Sequence, residues 1–199
     1  NGGGGDDYID GQDGNNTIDG GDGNDTIHAG SGDDSIMGGA DNDSIYSELG
    51  NDTIDGGDGN DTIYAGSGDD SIMGGAGNDT IYAELGNDTV NGGNGDDNIF
   101  DSGGTISIID AGNNNDYIEV NAVMLQNAAS DVVGGSGYDE LALSEAGTVT
   151  VVQLANSIRG IEKLDFNTDG HIANFTNTTS AHITTILDAS GPGNTLTID

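Results

Sequence analysis

The chain has 199 residues, of which 37 are glycine, 32 % hydrophobic and 5 % aromatic; 36 acidic residues against 2 basic ones leave a net charge of −34. Composition alone describes a disordered polyanion rather than a packed globule. Its field would repel nucleic acid and anionic membrane surfaces, so cations are the natural partner. The lack of cysteine excludes disulfides and thiolate metal sites.

From Gly2 to Phe100 one nine-residue pattern, Gly-Gly-x-Gly-x-Asp-x-apolar-x, starts at residues 2, 11, 20, 29, 38, 47, 56, 65, 74, 83 and 92 without an insertion. Its eighth position is isoleucine or valine in every copy, from Ile9 and Ile18 to Val90 and Ile99. A β-branched residue flanked by polar ones suits a short strand with one inward side chain. Glycine at three positions of nine excludes helix. Repeats opening on Gly-Gly alternate with repeats opening on Ala-Gly, Ser-Glu or Ala-Glu, and Asp19–Ile54 nearly matches Asp55–Val90. The unit is therefore an 18-residue coil of strand, turn, strand, turn. So short a repeat cannot bury its own apolar residue and must stack on its neighbours.

After Phe100 the pattern decays. Residues 111–119 are a degraded copy, 134–142 are a full one, and Val120–Ser130 reads as a loop or short helix. From Leu143 the chain alternates apolar and polar residues, as in Thr148–Leu154 and Ile161–Phe166. The expected division is a parallel roll over 1–119 and a β-rich cap over 120–199 that closes its open end. No apolar run reaches membrane-span length and no signal peptide is recognisable. The chain opens inside a repeat, which reads as a fragment of a larger protein.

On an 18-residue coil the sixth positions fall into two columns. One holds Asp7, Asp25, Asp43, Asp61, Asp79 and Asp97; the other holds Asn16, Asp34, Asp52, Asp70 and Asp88. Parallel strands stack about 4.8 Å apart, and two carboxylates that close repel by roughly 1 kcal/mol even in water. A divalent cation between each pair reverses the sign. Carboxylates, exposed turn carbonyls and no histidine or cysteine favour calcium over magnesium, zinc or copper.

The repeat resembles that of the RTX (repeat-in-toxin) family, calcium-binding nonapeptide-repeat proteins of bacterial type I secretion, over the first half of the chain and the two later copies. The resemblance implies an all-β, right-handed parallel β-roll with calcium between successive turns on each edge. In each site one turn supplies its second and fourth carbonyls and sixth acid, and the next supplies its first and third carbonyls and sixth acid. On the first edge this places Gly3, Gly5 and Asp7 with Gly20, Asp22 and Asp25, and then Gly21 and Gly23 with Gly38, Ala40 and Asp43. Gly39 and Asp41 follow with Gly56, Asp58 and Asp61; Gly57 and Gly59 with Gly74, Ala76 and Asp79; Gly75 and Gly77 with Gly92, Asn94 and Asp97. On the second edge Asn16 meets Ala29, Ser31 and Asp34, and Gly30 and Gly32 meet Ser47, Leu49 and Asp52. Glu48 and Gly50 then meet Ala65, Ser67 and Asp70, and Gly66 and Gly68 meet Ala83, Leu85 and Asp88. Asp116 and Asp139 carry the acid in the later copies. The main roll would take up to about nine ions, whose 18 positive charges would move −34 to −16.

Departures mark weaker places. Asn16 replaces an aspartate, Asp41 stands at a glycine position, Glu48 and Glu84 replace the second glycine, and Ile106 occupies the sixth position counted from Asp101. The second column is therefore expected to end at Asp88.

The resemblance implies a calcium-binding structural module, not an enzyme, of a secreted or cell-surface bacterial protein. It would thread a type I secretion channel unfolded and fold in extracellular calcium. Alternatives are the secretion part of a hydrolase or toxin, or an adhesive module; Ile158–Asp165 is similar to large surface adhesins. An outward column of Asp10, His28, Tyr46, Tyr64, Tyr82 and Phe100 reads either as a docking stripe or as stacking that stiffens the sheet. Met37 and Met73 alternate with acids on the other face and read as plain surface. Asp165–Gly170 opens like an EF-hand loop, but Thr176 stands where the closing glutamate belongs, so a turn is favoured. No nucleophile motif accompanies His28, His171 or His182, and the glycine runs lack the helix a phosphate loop needs.

Overall fold

The computed structural model describes residues 1–105, 107–121, 123–127, 129–144, 148–150, 158–166, 172–175, 185–188 and 195–198. Successive strands alternate between two parallel sheets, which makes a β-solenoid. The nine-stranded sheet runs through Gly3–Gly4, Thr17–Asp22, Ser35–Ala40, Thr53–Asp58, Ser71–Ala76, Thr89–Asn94, Ile108–Asn113, Asp131–Ser136 and Ile158–Arg159. The ten-stranded sheet runs through Tyr8–Asp10, Thr26–Ser31, Ser44–Leu49, Thr62–Tyr64, Thr80–Tyr82, Asn98–Asp101, Tyr117–Val120, Glu140–Leu143, Lys163–Phe166 and Thr185–Asp188.

The 18-residue coil is the observed register: Ile18 pairs with Ile36, Ile54 and Ile72 in turn, and Ile27 with Ile45 and Ile63. Each isoleucine faces inward, so the core is a double file of β-branched residues between the sheets, fully buried at Ile27, Ile45, Ile63 and Ile81. Alternation sends the flanking Thr, Ser, Tyr and Met outward, and Met37 and Met73 are exposed on the nine-stranded sheet.

Beyond Phe100 the coil lengthens. Val90 pairs with Ile109 and Ile99 with Ile118, a step of 19, and Ile118 pairs with Leu141, a step of 23. The longer step accommodates a 3-10 turn at Met124–Gln126, where Met124 and Leu125 enter the core. The full repeat at 134–142 supplies the turn between Asp131–Ser136 and Glu140–Leu143. Farther on, Ile158–Arg159, Lys163–Phe166 and Thr185–Asp188 extend the same two sheets, while Thr148–Thr150, Ile172–Phe175 and Thr195–Ile198 form a separate three-stranded parallel sheet. Asn167–Gly170 of the EF-hand-like stretch, together with His171 and His182, lie outside the described residues.

Candidate metal columns

The turns that join the sheets stack into the two edges. Tight turns need left-handed backbone, and glycine supplies it at the second position, for example Gly57 at φ 109°. Where the sequence departs from glycine the backbone keeps the same shape: Asp41, Glu48 and Glu84 hold φ of 75°, 76° and 66°. Such residues store strain that the neighbouring turns must hold in place. Gln12 at 68° and Asn114 at 82° join them; both sit at glycine positions of degenerate copies, which was the available signal for them.

Each sixth-position aspartate splits its two oxygens between two tasks. Oδ1 accepts the backbone N–H of the aspartate one coil earlier, at 2.8 Å for Asp61 N–H to Asp79, Asp79 N–H to Asp97 and Asp43 N–H to Asp61. On the first edge these links run unbroken from Asp7 through Asp25, Asp97 and Asp116 to Asp139, whose own N–H donates to Glu162. On the second edge they run from Asn16 through Asp34, Asp52 and Asp70 to Asp88. The aspartates from Asp25 onward are buried, and Oδ2 of Asp7, Asp25, Asp34, Asp43, Asp61, Asp70, Asp79, Asp88, Asp97, Asp116 and Asp139 has no hydrogen-bond partner.

A buried carboxylate oxygen with no partner is costly, and the acidities record it. Burial pushes Asp79, Asp88 and Asp116 up to about 7 and Asp43, Asp70 and Asp97 up to about 6, against the lowering effect of the accepted N–H. Like-charged neighbours add to the rise, Asp97 and Asp61 at Asp79, and Asp101 ahead of Asp70 at Asp88.

The first-position residue faces these free oxygens. A Cβ added to Gly56 would lie 2.5 Å from the Gly74 carbonyl and 2.6 Å from Asp61 Oδ2. Carboxylate and next-turn carbonyl thus converge on one small space that a side chain would fill. On the second edge that position is Ala29, Ser47, Ala65 and Ala83 instead. Ser47 uses it: its hydroxyl lies 2.6 Å from Asp52 Oδ2 and 2.5 Å from the Ala65 carbonyl. Asp52 Oδ2 is accordingly the one sixth-position Oδ2, among the described buried aspartates, that is not orphaned.

The turn after Asp88 corrects the register read from sequence. Thr89 pairs with Ile108, so Ser107 stands opposite Asp88 and occupies the sixth position in place of Ile106. One extra residue in this turn, invisible to a count that assumes nine, accounts for the 19-residue step. The Asn121 amide donates to the carbonyls of Ser102 and Gly103, and its oxygen accepts the N–H of Met124. A neutral side chain thereby closes the edge above this turn.

Among the described residues no group of three or more His, Cys, Asp or Glu is arranged to hold a metal. Ligands beyond paired carboxylates would have to be backbone carbonyls. That all-oxygen donor set, with a free carboxylate oxygen at the sixth-position aspartates other than Asp52 and a carbonyl converging on it along the first edge, fits a hard cation of calcium type.

Outside the edges, the aromatic column forms a ladder on the ten-stranded sheet. His28, Tyr46, Tyr64, Tyr82 and Phe100 stack with centroids 4.6–5.0 Å apart and planes within 13° of parallel, and Tyr8 and Tyr117 tilt against its two ends. The rings contact one another, which is the stiffening arrangement.

Fold and edges together define a parallel β-solenoid whose turns are built around stacked carboxylates. The family model described as RTX calcium-binding nonapeptide repeat (4 copies) matches residues 1–36, 28–63 and 64–99. The repeat region, residues 1–99, belongs to the RTX calcium-binding repeat family, and the module it forms binds calcium. The family is one of structural calcium-binding repeats, not typically enzymatic. No curated protein matches the chain, and no solved structure matches it.

Proposed function

We propose that the chain is a calcium-dependent structural module of a secreted or cell-surface bacterial protein. It is an extended polyanion where calcium is scarce and a folded roll where calcium is plentiful. The carrying observation is the file of buried, partnerless Oδ2 atoms along both edges. Nothing in the chain can neutralise them over the first 158 residues, which contain no lysine or arginine. Calcium between successive turns would supply that charge, held by the carboxylates and by the turn carbonyls that the RTX pattern designates. The free energy of binding would then be free energy of folding.

On this reading the first column extends past Asp97 to Asp116 and Asp139, because the same N–H to Oδ1 links continue there. The last coils rely partly on protein cations: Arg159 pairs with Asp131 at 2.5 Å, and Lys163 pairs with Glu140. Residues 120–199, with one further repeat at 134–142 and strands that extend both sheets, would then cap the end of the roll. The threading partner would be a type I secretion channel, and the folded roll would hold or display the rest of a larger protein.

Calorimetric titration of the chelated chain with calcium, and separately with magnesium, tests the reading. It expects several calcium ions taken up with a large heat of coupled folding and little uptake of magnesium. A chain that binds neither cation would overturn it.

A further inference from the structure

Asp101 is buried to 1 % exposure at the first position of its turn, where every preceding repeat on that edge has glycine, alanine or serine. Its Oδ1 accepts the N–H of Gly103 at 3.1 Å, and its Oδ2 has no partner. Ser107, equally buried, stands at the sixth position of the same turn; its hydroxyl faces the Asp101 carboxyl and lowers that acid against the rise that burial causes, without a hydrogen bond of normal length and angle. Directly below Ser107 in the stack is Asp88, whose Oδ2 is also buried and free. Two carboxylate oxygens and a hydroxyl, none with a well-formed hydrogen bond, therefore gather where the repeat loses its acid, and Asp101 is close enough to raise Asp88.

The Ser47–Asp52 pair shows what the first position can do. There a hydroxyl on the first residue reaches the acid on the sixth at 2.6 Å. At Asp101 and Ser107 the same two positions carry the same two groups exchanged: acid first, hydroxyl sixth. We infer that Asp101 stands in for the sixth-position acid its turn lacks, so that the second column ends in one further calcium site. The Asp88 and Asp101 carboxylates and the Ser107 hydroxyl would hold it. This inference rests on the calcium reading above and moves the end of that column one turn beyond Asp88. Two carboxylates and a hydroxyl are hard oxygen donors suited to calcium. The Asn121 amide, seated on the carbonyls of Ser102 and Gly103, closes the turn above.

Native mass spectrometry of the full chain at saturating calcium counts the ions, with circular dichroism confirming the fold. Asp101→Asn is expected to carry one ion fewer than the parent. Adding Ser107→Asp to that variant, which restores an acid at the sixth position, is expected to return the count to the parent value. An unchanged count in Asp101→Asn overturns the inference while leaving the calcium reading intact, whereas a parent chain that takes up no calcium overturns that reading itself. Should Asp101→Asn fail to fold in calcium, the double variant decides: recovery of fold and count supports the site, and no recovery overturns it.

Discussion

Between residues 20 and 97 the two edges of the roll carry the same sixth-position acid but differ at the first position of each turn. The first edge has glycine at residues 20, 38, 56, 74 and 92, and the second has Ala29, Ser47, Ala65, Ala83 and Asp101. On the first edge the space between carboxylate and carbonyl is left open; on the second it is narrowed by a methyl, bridged by a hydroxyl or given a second acid. Coordination on the first edge is set by backbone and aspartate alone. On the second it is adjusted turn by turn by one small side chain.

The largest effect should come from filling the open edge. Gly56→Val would press its side chain against the Gly74 carbonyl and Asp61 Oδ2, displacing a ligand and overpacking the turn. We expect a loss of at least about 3 kcal/mol in calcium by chemical denaturation, at the upper end of overpacking costs because the clash is partly with backbone. Ala65→Val on the second edge, which only enlarges a side chain already seated at that position, should cost less; equal losses would dissolve the distinction between edges.

Acid should partly replace calcium. The folded-state acidities of Asp43, Asp70, Asp79, Asp88, Asp97 and Asp116 lie near 6 to 7, above the 3.8 of an ordinary aspartate. A raised acid in the folded state binds protons that the unfolded chain releases, so its stabilising contribution is full below about pH 4 and is lost as pH rises through 6 to 7. In chelator the roll should therefore be most ordered near pH 4 to 5 and unfold towards pH 7. With calcium present the order should hold at pH 7 and above. Circular dichroism against pH, with and without chelator, checks both limbs.

Ser47→Ala would leave Asp52 Oδ2 as orphaned as its neighbours. In chelator near pH 5, where the roll is ordered, this should cost about 1–3 kcal/mol by chemical denaturation, the usual penalty for a buried acceptor stripped of its donor. The variant should lose less in calcium, where a bound ion takes over the hydroxyl's role. Smallest of all, Tyr64→Ser breaks two ring contacts and should cost about 1–2 kcal/mol without altering the ion count. Loss of surface adhesion with that stability intact would instead favour the docking reading of the ladder.

Much of this architecture was legible because the repeat is strict. The eighth-position isoleucines gave the core, the sixth-position acids gave both columns, and the substitutions at Asp41, Glu48 and Glu84 marked the strained turns. Legibility ended where the spacing changed. One added residue between Asp101 and Ser107 moved the sixth position from Ile106 to Ser107, and a fixed period has no term for an insertion. The bridge from Ser47 to Asp52 was equally hidden, since a serine among alanines reads as a neutral exchange until the turn geometry aims its hydroxyl.

The most direct test of the account is the dimension of the chain at pH 7.5 in chelator and in millimolar calcium, measured as hydrodynamic radius alongside far-UV circular dichroism. The account expects an expanded, unstructured polyanion in chelator and a cooperative collapse to β-structure on calcium addition, with no collapse in magnesium. A compact, β-rich chain that ignores the chelator would contradict it, because the buried carboxylates would then be tolerated without a cation.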